Sequence, residues 1–276
     1  MRMFQVDAFT ARPFAGNPAA VLVLDGPAPV AAMQALAAEN NLAETAFTWA
    51  EPGRPGVRRL RWFTPVDEAP FCGHATLATA HVLIAELGES GPLAFETAVG
   101  PIRVAATPAG YELDLPRFDM AAAALPEALA GIFPVPPVFV GRNFENLFVV
   151  LAEAGLVRDF VPDQTVIGCI HPEGLVITAP AEPGSGIDFV SRFFCPGWGI
   201  PEDPVTGSIH ATLAPWWAER LGLTVLQAVQ ASPRGGRLAC TVEPMRVRVA
   251  GPAVTVFDAR LHPEIAARFR SSAPAG

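Results

Sequence analysis

The stretch FCGHATLATAHVL occupies residues 71–83, and TGSIHATLA occupies residues 206–214. The pentapeptide HATLA therefore begins once at His74 and again at His210. In both places a turn that contains Gly precedes good helix formers with apolar residues near helical spacing, which predicts the start of a helix. A phrase that recurs in the same local context indicates an internal repeat.

Two matches upstream of HATLA share one offset. The sequence AEPG at 50–53 recurs at 181–184, and RWFTP at 61–65 corresponds to RFFCP at 192–196. Both pairs are 131 positions apart (181 − 50 and 192 − 61). Because the matches are collinear, they predict two related halves of the chain.

The later matches share a slightly larger offset. His210 follows His74 by 136 positions (210 − 74), and Gly236 follows Gly100 by the same 136 (236 − 100). One insertion of five residues (136 − 131) between Pro196 and His210 reconciles the two offsets. The chain is therefore predicted to consist of duplicated halves of about 130 residues.

Each half has the same pattern of predicted elements. Short β-rich runs are separated by Gly and Pro, and one strong helical segment follows each HATLA phrase. The pattern predicts an α+β fold of two pseudo-symmetric domains, each a curved, mostly antiparallel sheet wrapped around a central helix. A change of composition over residues 124–137 suggests domains over 1–120 and 121–276, with the last residues able to pack back on the first domain.

The composition limits the possible chemistry. A net charge of −8 and a pI near 5.1 argue against a nucleic-acid partner and favour a small molecule. All 19 basic side chains are Arg, which excludes a Schiff-base, P-loop or general-base lysine. The four cysteines lack CxxC spacing, and GxGxxG and HExxH motifs are missing, so we expect neither a metal nor a cofactor. No secretory or membrane-spanning pattern occurs, so we expect a cytoplasmic protein.

The two predicted helix starts are candidate sites for an anion. Gly73 and His74 open the first helix, and Gly207 and Ser208 open the second. Free backbone N–H groups and the positive end of the helix dipole can hold a carboxylate or a developing oxyanion there. A turn with an N-cap is the ordinary explanation for one such start, but the duplication favours a binding site.

Two carboxylates are candidate proton carriers. Glu44 is the only ionisable side chain in the apolar run NNLAETAFTWA, so it either faces outward on a strand or is partly desolvated with a raised pKa suited to proton transfer. Asp203 follows Glu202 just before the second helix start, where a carboxylate is either a helix-dipole partner or a proton carrier. An Asp-Pro turn is an equally good structural explanation for Asp203.

Cys72 precedes the first helix and is a candidate nucleophile, thiol base or substrate contact, because a helix N-terminus lowers the pKa of a thiol. At the offset of 136 its repeat counterpart is Ser208 (72 + 136). A symmetric pair of thiol bases therefore cannot be built from this repeat. Cys72 is placed with Gly73, Gly207 and Ser208 among the substrate-binding candidates.

Several long stretches together resemble the phenazine biosynthesis PhzF-like family: NNLAETAF, RWFTPVDEAPFCGHATLATAHVL, GIPEDPVTGSIHATLA and SPRGGRLACTV. VDAFTARPFAGNPAAV is similar to the N-terminal signature of the same family. The match covers nearly the whole chain, and signatures of this length are highly specific. The resemblance implies the diaminopimelate-epimerase-like fold, with an active site in the cleft between two pseudo-symmetric domains.

The resemblance also implies residue roles. The family's catalytic glutamate falls on Glu44, its histidine on His74 and its aspartate on Asp203, while its cleft glycine and serine fall on Gly73 and Ser208. In phenazine makers the family enzyme isomerises trans-2,3-dihydro-3-hydroxyanthranilate without a cofactor, moving a hydrogen within the substrate through the glutamate. The expected activity is therefore a cofactor-independent isomerase of a small carboxylate-bearing substrate, in a homodimer.

Two alternative functions stay open. Related amino-acid epimerases use two cysteines on opposite faces of the α-carbon, whereas this chain, with one thiol at Cys72 and a carboxylate at Asp203, resembles the carboxylate-based branch. An amino-acid racemase or epimerase is therefore the second hypothesis. The third is a catalytically inactive protein that binds a small acid, and the presence of Glu44, His74 and Asp203 together counts against it.

Overall fold

The computed structural model describes residues 1–270. In chain order these residues form strands β1 (Arg2–Ala8), β2 (Asn17–Val23), β3 (Glu44–Ala50), β4 (Val57–Phe63), β5 (Glu68–Ala69), β6 (Leu93–Thr97), β7 (Gly100–Thr107), β8 (Gly110–Pro116), β9 (Ala121–Ala122), β10 (Phe139–Arg142), β11 (Asn146–Val150), β12 (Gly174–Pro180), β13 (Phe189–Cys195), β14 (Ile200–Asp203), β15 (Val225–Gln230), β16 (Gly236–Val242), β17 (Arg246–Gly251) and β18 (Ala253–Arg260).

The helices of the same residues are α1 (Val30–Asn40), α2 (Gly73–His81), α3 (Ala154–Arg158), α4 (Gln164–Gly168), α5 (Gly207–Leu221) and α6 (Pro263–Ala267). A π-helical turn over Val82–Glu86 continues α2, and 3₁₀ turns lie at Glu127–Leu129 and Pro196–Trp198. Within residues 1–270 no helix combines the length and the apolar character needed to cross a membrane.

The described chain divides into two compact units. The first unit contains residues 1–113 and 251–270, and the second contains residues 114–250. The sequence places the division between residues 120 and 121 instead, and residues 271–276 of its second domain lie outside the described residues. Residues 251–270 belong to the first unit because β18 pairs with β1 along the whole length of that strand.

The sheet of the first unit mixes antiparallel and parallel pairs. Its strand order is β18-β1-β2-β3-β4-β6-β7-β8, and β5 adds a short antiparallel pair on β4. Only the β2–β3 and β4–β6 pairs of this order are parallel. Both parallel connections contain a helix, which is the usual way to join parallel neighbours.

The sheet of the second unit repeats this order strand by strand. It runs β9-β10-β11-β12-β13-β15-β16-β17, with β14 as the short addition on β13. Here β11–β12 and β13–β15 are the parallel pairs. The predicted α+β fold of two similar halves, each with a mostly antiparallel sheet, is therefore confirmed.

Each unit buries one helix against its sheet. Every residue of α2 is buried, and the helix packs against β1, β2, β3 and β18, while α1 packs against β3 and β4. In the second unit α5 packs against β15 and β16, and α3 packs against β12 and β13. Strands covered by helices need apolar residues on both faces, which explains uninterrupted runs such as AAVLVL.

The helix starts do not share the register of HATLA. Helix α2 begins at Gly73 and α5 begins at Gly207, an offset of 134 (207 − 73). Counted from the first helical residue, Cys72 corresponds to Thr206 rather than to Ser208. The insertion is therefore divided, with three residues before the helix and two inside it (134 − 131 and 136 − 134). Thr206 has no thiol, so the conclusion that the repeat holds no symmetric thiol pair is unchanged.

Candidate active site

Three of the predicted site residues meet at the start of α2 in the first unit. The Nε2 atom of His74 lies 3.2 Å from Oε2 of Glu44, the first residue of β3. On the other side of the imidazole, Nδ1 lies 3.4 Å from Sγ of Cys72 and 3.1 Å from Nδ2 of Asn17. Both His74 and Glu44 are shielded, with 5% and 13% of their side chains exposed. The Glu44 carboxylate and the Cys72 thiol therefore lie on opposite sides of the His74 imidazole, the thiol within hydrogen-bonding distance of Nδ1 and the carboxylate in contact with Nε2.

The strand and helix geometry explains this meeting. Glu44 is brought beside β2 by the parallel pairing of Ala19 with Glu44. Asn17 is the first residue of β2, and α2 packs directly against β2 and β3. Because His74 is the second residue of α2, its side chain lies at the end of the helix that faces these strand starts. The sequence allowed Glu44 either to face outward on a strand or to be partly desolvated. With 13% of its side chain exposed, Glu44 is partly desolvated.

Burial keeps His74 neutral. Desolvation lowers the pKa of the imidazole from 6.5 to about 3, although a hydrogen bond with the backbone of Pro18 opposes the shift. A neutral imidazole has one N–H and one lone pair, so its two tautomers can either donate to a carboxylate or accept from a carboxylic acid. His74 can therefore match both protonation states of Glu44, which is what a group that takes up and returns a proton requires.

Cys72 occupies the N-cap position of α2 but does not cap the helix with its side chain. Its backbone is extended, with φ −147° and ψ 113°, and its side chain makes no capping hydrogen bond. The thiol is directed to the imidazole instead, at the 3.4 Å distance from His74 Nδ1. The first-turn amides are thus not taken up by a side-chain cap, and they can serve an anionic ligand.

The carboxylate, thiol and imidazole also offer ligand atoms for a metal ion. Atoms of Glu44, Cys72 and His74 all lie within 4.8 Å of one another. The thiol and the carboxylate, however, contact different nitrogens of the same ring, and a single ion can bind only one of these nitrogens. The arrangement fits two groups placed on either side of one imidazole better than it fits a tetrahedral metal site.

In the second unit Asp203 lies at the end of β14 and is buried. The hydroxyl of Thr206 donates to Asp203 Oδ2. The side chain of Gln230 fixes the same turn, because its Nε2 donates to Asp203 O at 2.8 Å and its Oε1 accepts from Thr206 N at 2.8 Å. Ser232 Oγ donates to Pro204 O at 2.8 Å. The turn that leads into α5 is therefore held from two directions.

The other predicted residues of the second unit lie at the helix start. Gly207 and Ser208 are the first two residues of α5, and Thr206 at the N-cap makes no side-chain cap. His210 does not belong to this site, because it is fully buried and its Nδ1 donates to the carbonyl oxygen of Thr206 at 2.8 Å. Desolvation lowers the pKa of His210 to about 4, so it is a neutral core residue at physiological pH.

Two polar residues of these sites, Asn17 and Gln230, were not identified from the sequence. Asn17 stands in the stretch that resembles the family's N-terminal signature, so a signal for it was present. Gln230 ends β15 in an ordinary strand and has no local signal. Its contacts follow from the parallel pairing of β13 with β15, which brings the end of β15 beside the turn after β14.

The duplicated sheets, each with a buried helix whose start carries polar groups, define a class of fold that also includes racemases and epimerases. A hydroxyproline epimerase from Agrobacterium vitis is similar to this chain with a TM-score of 0.64 and 11% identity, covering 94% of this chain and 91% of that one. At this identity the likeness shows the fold alone.

The family follows from closer matches. The model of the phenazine biosynthesis-like protein family matches residues 6–259. A Pseudomonas aeruginosa protein described as an uncharacterized isomerase is 42% identical over 263 residues, covering 95% of this chain and 99% of its own length. The crystal structure of a PhzF-family phenazine biosynthesis protein from Enterococcus faecalis has a TM-score of 0.88 and 39% identity, covering 94% of this chain and 99% of its own. The chain belongs to the phenazine biosynthesis-like family.

Proposed function

We propose that the protein is a cofactor-independent isomerase that uses Glu44 to remove a proton beside the carboxylate of a small substrate and to return it at another position. The observation that carries this proposal is the contact of 3.2 Å between Glu44 and a neutral, buried His74. Relatives described as isomerases, one 42% and one 37% identical to this chain, support the reaction class.

The residues of the first unit have separate roles in this reaction. Glu44 is the proton carrier, and His74 keeps it in place in both protonation states by changing tautomer. At the far nitrogen of the imidazole the Asn17 amide can donate when Nδ1 is unprotonated, and the Cys72 sulfur can accept when Nδ1 carries the proton, so this nitrogen has a partner in either tautomer. The thiol is thus a neighbour of the relay, and the carboxylate is the base.

The backbone amides at the two helix starts stabilise the negative charge that the reaction creates. Removing a proton beside a carboxylate builds charge on the carboxylate oxygens, and fixed donors lower the barrier most when they need no rearrangement. The amides at Gly73, Gly207 and Ser208 are suited to this, because no side-chain cap occupies them. Asp203 is the second carboxylate and assists proton transfer. That both helix starts act on one substrate rests on the family resemblance.

The proposal is tested by proton exchange in deuterated water. The protein is incubated with a set of small amino and hydroxy acids, and deuterium incorporation is followed by NMR and mass spectrometry at the carbons near the carboxylate. This readout detects proton abstraction even when substrate and product are mirror images, so it also separates isomerisation from racemisation by the position and configuration of the label.

Glu44→Gln is the decisive variant, and Glu39→Gln is its control. Glu44→Gln keeps the shape of the side chain but cannot accept the proton, so exchange should fall by about two to four orders of magnitude. Glu39 is an exposed carboxylate on α1, and its substitution should leave exchange unchanged. Exchange at the wild-type rate in Glu44→Gln would remove the assignment. Ligand binding without exchange in the wild-type protein would favour the binding-protein hypothesis.

A further inference from the structure

Arg192 of β13 and Glu202 of β14 form a deeply buried ion pair. Nε of Arg192 donates to Oε1 of Glu202 at 2.7 Å, and a terminal nitrogen donates to Oε2 at 2.9 Å. Only 7% of the arginine side chain and 15% of the glutamate side chain are exposed. This two-point geometry fixes both the distance and the orientation of the carboxylate.

The remaining guanidinium nitrogen anchors the pair to the rest of the second unit. It donates to the carbonyl oxygen of Phe160 at 2.6 Å and lies 3.3 Å from those of Val157 and Arg158. The guanidinium carbon also lies 4.9 Å from the centre of the Phe194 ring. Arg192 is therefore a fixed point, and Glu202 is tied to it.

The first unit contains the same device at the equivalent position. Nε of Arg61 donates to Oε1 of Glu68 at 2.7 Å, a terminal nitrogen donates to Oε2 at 2.5 Å, and the guanidinium lies 5.2 Å from the centre of the Phe63 ring. In each unit the glutamate precedes the first residue of the buried helix by five positions (73 − 68 and 207 − 202). The duplication therefore kept the arginine, the glutamate, the aromatic ring and the spacing to the helix.

The pair in the second unit lies directly beside a proposed catalytic residue. Asp203 follows Glu202, and in the ladder Asp203 pairs with Phe193, the residue after Arg192. The two-point bond thus fixes the strand end from which the Asp203 side chain projects. On the other side of the turn, Gln230 holds Asp203 and Thr206 through the bonds described above.

We propose that the Arg192–Glu202 pair is a positioning device that sets Asp203 and the start of α5, and that Glu202 itself carries no proton in the reaction. Its catalytic consequence rests on the proposed function. We call the two arginine–glutamate pairs clamps. The clamp of the first unit, Arg61 with Glu68, positions the start of α2 in the same way. Its effect is weaker because 25% of the Arg61 side chain and 36% of the Glu68 side chain are exposed to solvent.

The experiment compares Glu202→Gln with the matched variant Glu68→Gln in the full chain. Hydrogen–deuterium exchange of the backbone is measured by mass spectrometry over residues 203–208 and 69–74. In Glu202→Gln, exchange over 203–208 should rise roughly tenfold while 69–74 is unchanged, because only the local anchor is lost. In Glu68→Gln the smaller rise should be confined to 69–74. Unchanged exchange over 203–208 in a folded Glu202→Gln protein overturns the proposal, and so does equal loosening of both segments.

A second variant covers the case in which Glu202→Gln does not fold, as judged by near-ultraviolet circular dichroism. Arg192→Lys keeps the positive charge, but an ammonium group cannot bind both carboxylate oxygens and the three carbonyls together. It should therefore give the same local rise over residues 203–208. Exchange equal to that of the wild-type protein contradicts the positioning role.

Non-additivity separates positioning from a general structural role. The substrate is the acid whose proton the wild-type protein exchanges fastest. On this acid Glu202→Gln should lower kcat for exchange about tenfold with little change in KM. The double variant Glu202→Gln/Asp203→Asn should be as active as Asp203→Asn alone. An additive loss would show that Glu202 acts independently of Asp203. If Asp203→Asn does not change the rate of substrate proton exchange, the proposed role of Asp203 fails. The backbone hydrogen–deuterium exchange over residues 203–208 still decides whether Glu202 positions this segment.

Discussion

We expect His210 to make the protein sensitive to mild acid. The imidazole is fully buried as the fourth residue of α5, with Nδ1 2.8 Å from the carbonyl oxygen of Thr206 and the ring centre 5.8 Å from that of Phe189. Burial lowers the pKa of His210 from 6.5 to about 4. Because the folded pKa lies below the unfolded one, the unfolded state binds the proton more readily, and stability is lost as the pH falls below 6.5.

The size of the loss follows from the two pKa values. At pH 5 the imidazole is almost fully protonated in the unfolded chain and about one tenth protonated in the folded one, which costs about 2 kcal/mol relative to neutral pH. His74, with a folded pKa of about 3, adds about 2 kcal/mol by the same reasoning. A loss of about 4 kcal/mol is a large part of the roughly 5–15 kcal/mol that stabilises a typical domain.

The assay is urea unfolding at pH 7.5 and pH 5.0, followed by tryptophan fluorescence. His210→Gln keeps a donor for the Thr206 carbonyl and removes the titration, so its stability should fall about 2 kcal/mol less between the two pH values than that of the wild-type protein. His262→Gln, at an exposed position, is the control and should behave as wild type. The reasoning is refuted if His210→Gln loses as much stability on acidification as the wild-type protein does.

Two further predictions concern the space around a glycine and a buried hydrogen bond. Gly16 has φ +64°, and a Cβ there would lie 2.1 Å from the carbonyl oxygen of Ala8, so Gly16→Ala should destabilise the protein by about 2–5 kcal/mol. Gly53 has φ +74° and open space around it, so Gly53→Ala should cost only about 1–2 kcal/mol, and equal losses in thermal unfolding would contradict the steric argument. The indole N–H of Trp217 donates to Thr178 Oγ1 at 3.0 Å, so Trp217→Phe should lower the unfolding free energy by about 1 kcal/mol, whereas an unchanged value would show that the bond contributes nothing.

The sequence alone was enough to predict the duplication, because the matches lie in segments that each unit needs for its core. The helix starts and the strands before them recur since every unit must cover its buried helix with a sheet. The exact helix register was not predictable, because HATLA begins at the second residue of α2 but at the fourth residue of α5. The HATLA sequence is the same in both units, but relative to it the helix of the second unit starts two residues earlier.

The polar partners of the site were harder to predict than the fold. Glu44 and His74 are 30 positions apart (74 − 44), and their contact depends on the pairing of β2 with β3 and on the packing of α2 against both. Gln230 reaches Asp203 from a strand 27 positions away. Such contacts are set by strand order, which hydrophobic periodicity does not specify.

The repeat is asymmetric at the position of the proposed base. Glu44 and Gly174 are both the first residue of the third long strand of their unit. A Cβ at Gly174 would lie 2.4 Å from the ring of Phe193 and 2.8 Å from Oδ1 of Asn146. The second unit therefore has no room for a side chain there, and aromatic packing occupies the space that a carboxylate fills in the first unit.

At the residue that follows the clamp glutamate, the carboxylate is instead in the second unit and absent from the first. At the offset of 134 that relates the helix starts, Asp203 corresponds to Ala69 (69 + 134), the residue that follows the clamp glutamate of the first unit. Each unit thus has one of the two proposed carboxylates, and lacks a carboxylate where the other unit has it. A duplicated chain with two equivalent sites would show the same side chains twice. The two units therefore differ at both positions where a catalytic carboxylate is proposed, with Gly174 in place of Glu44 and Ala69 in place of Asp203.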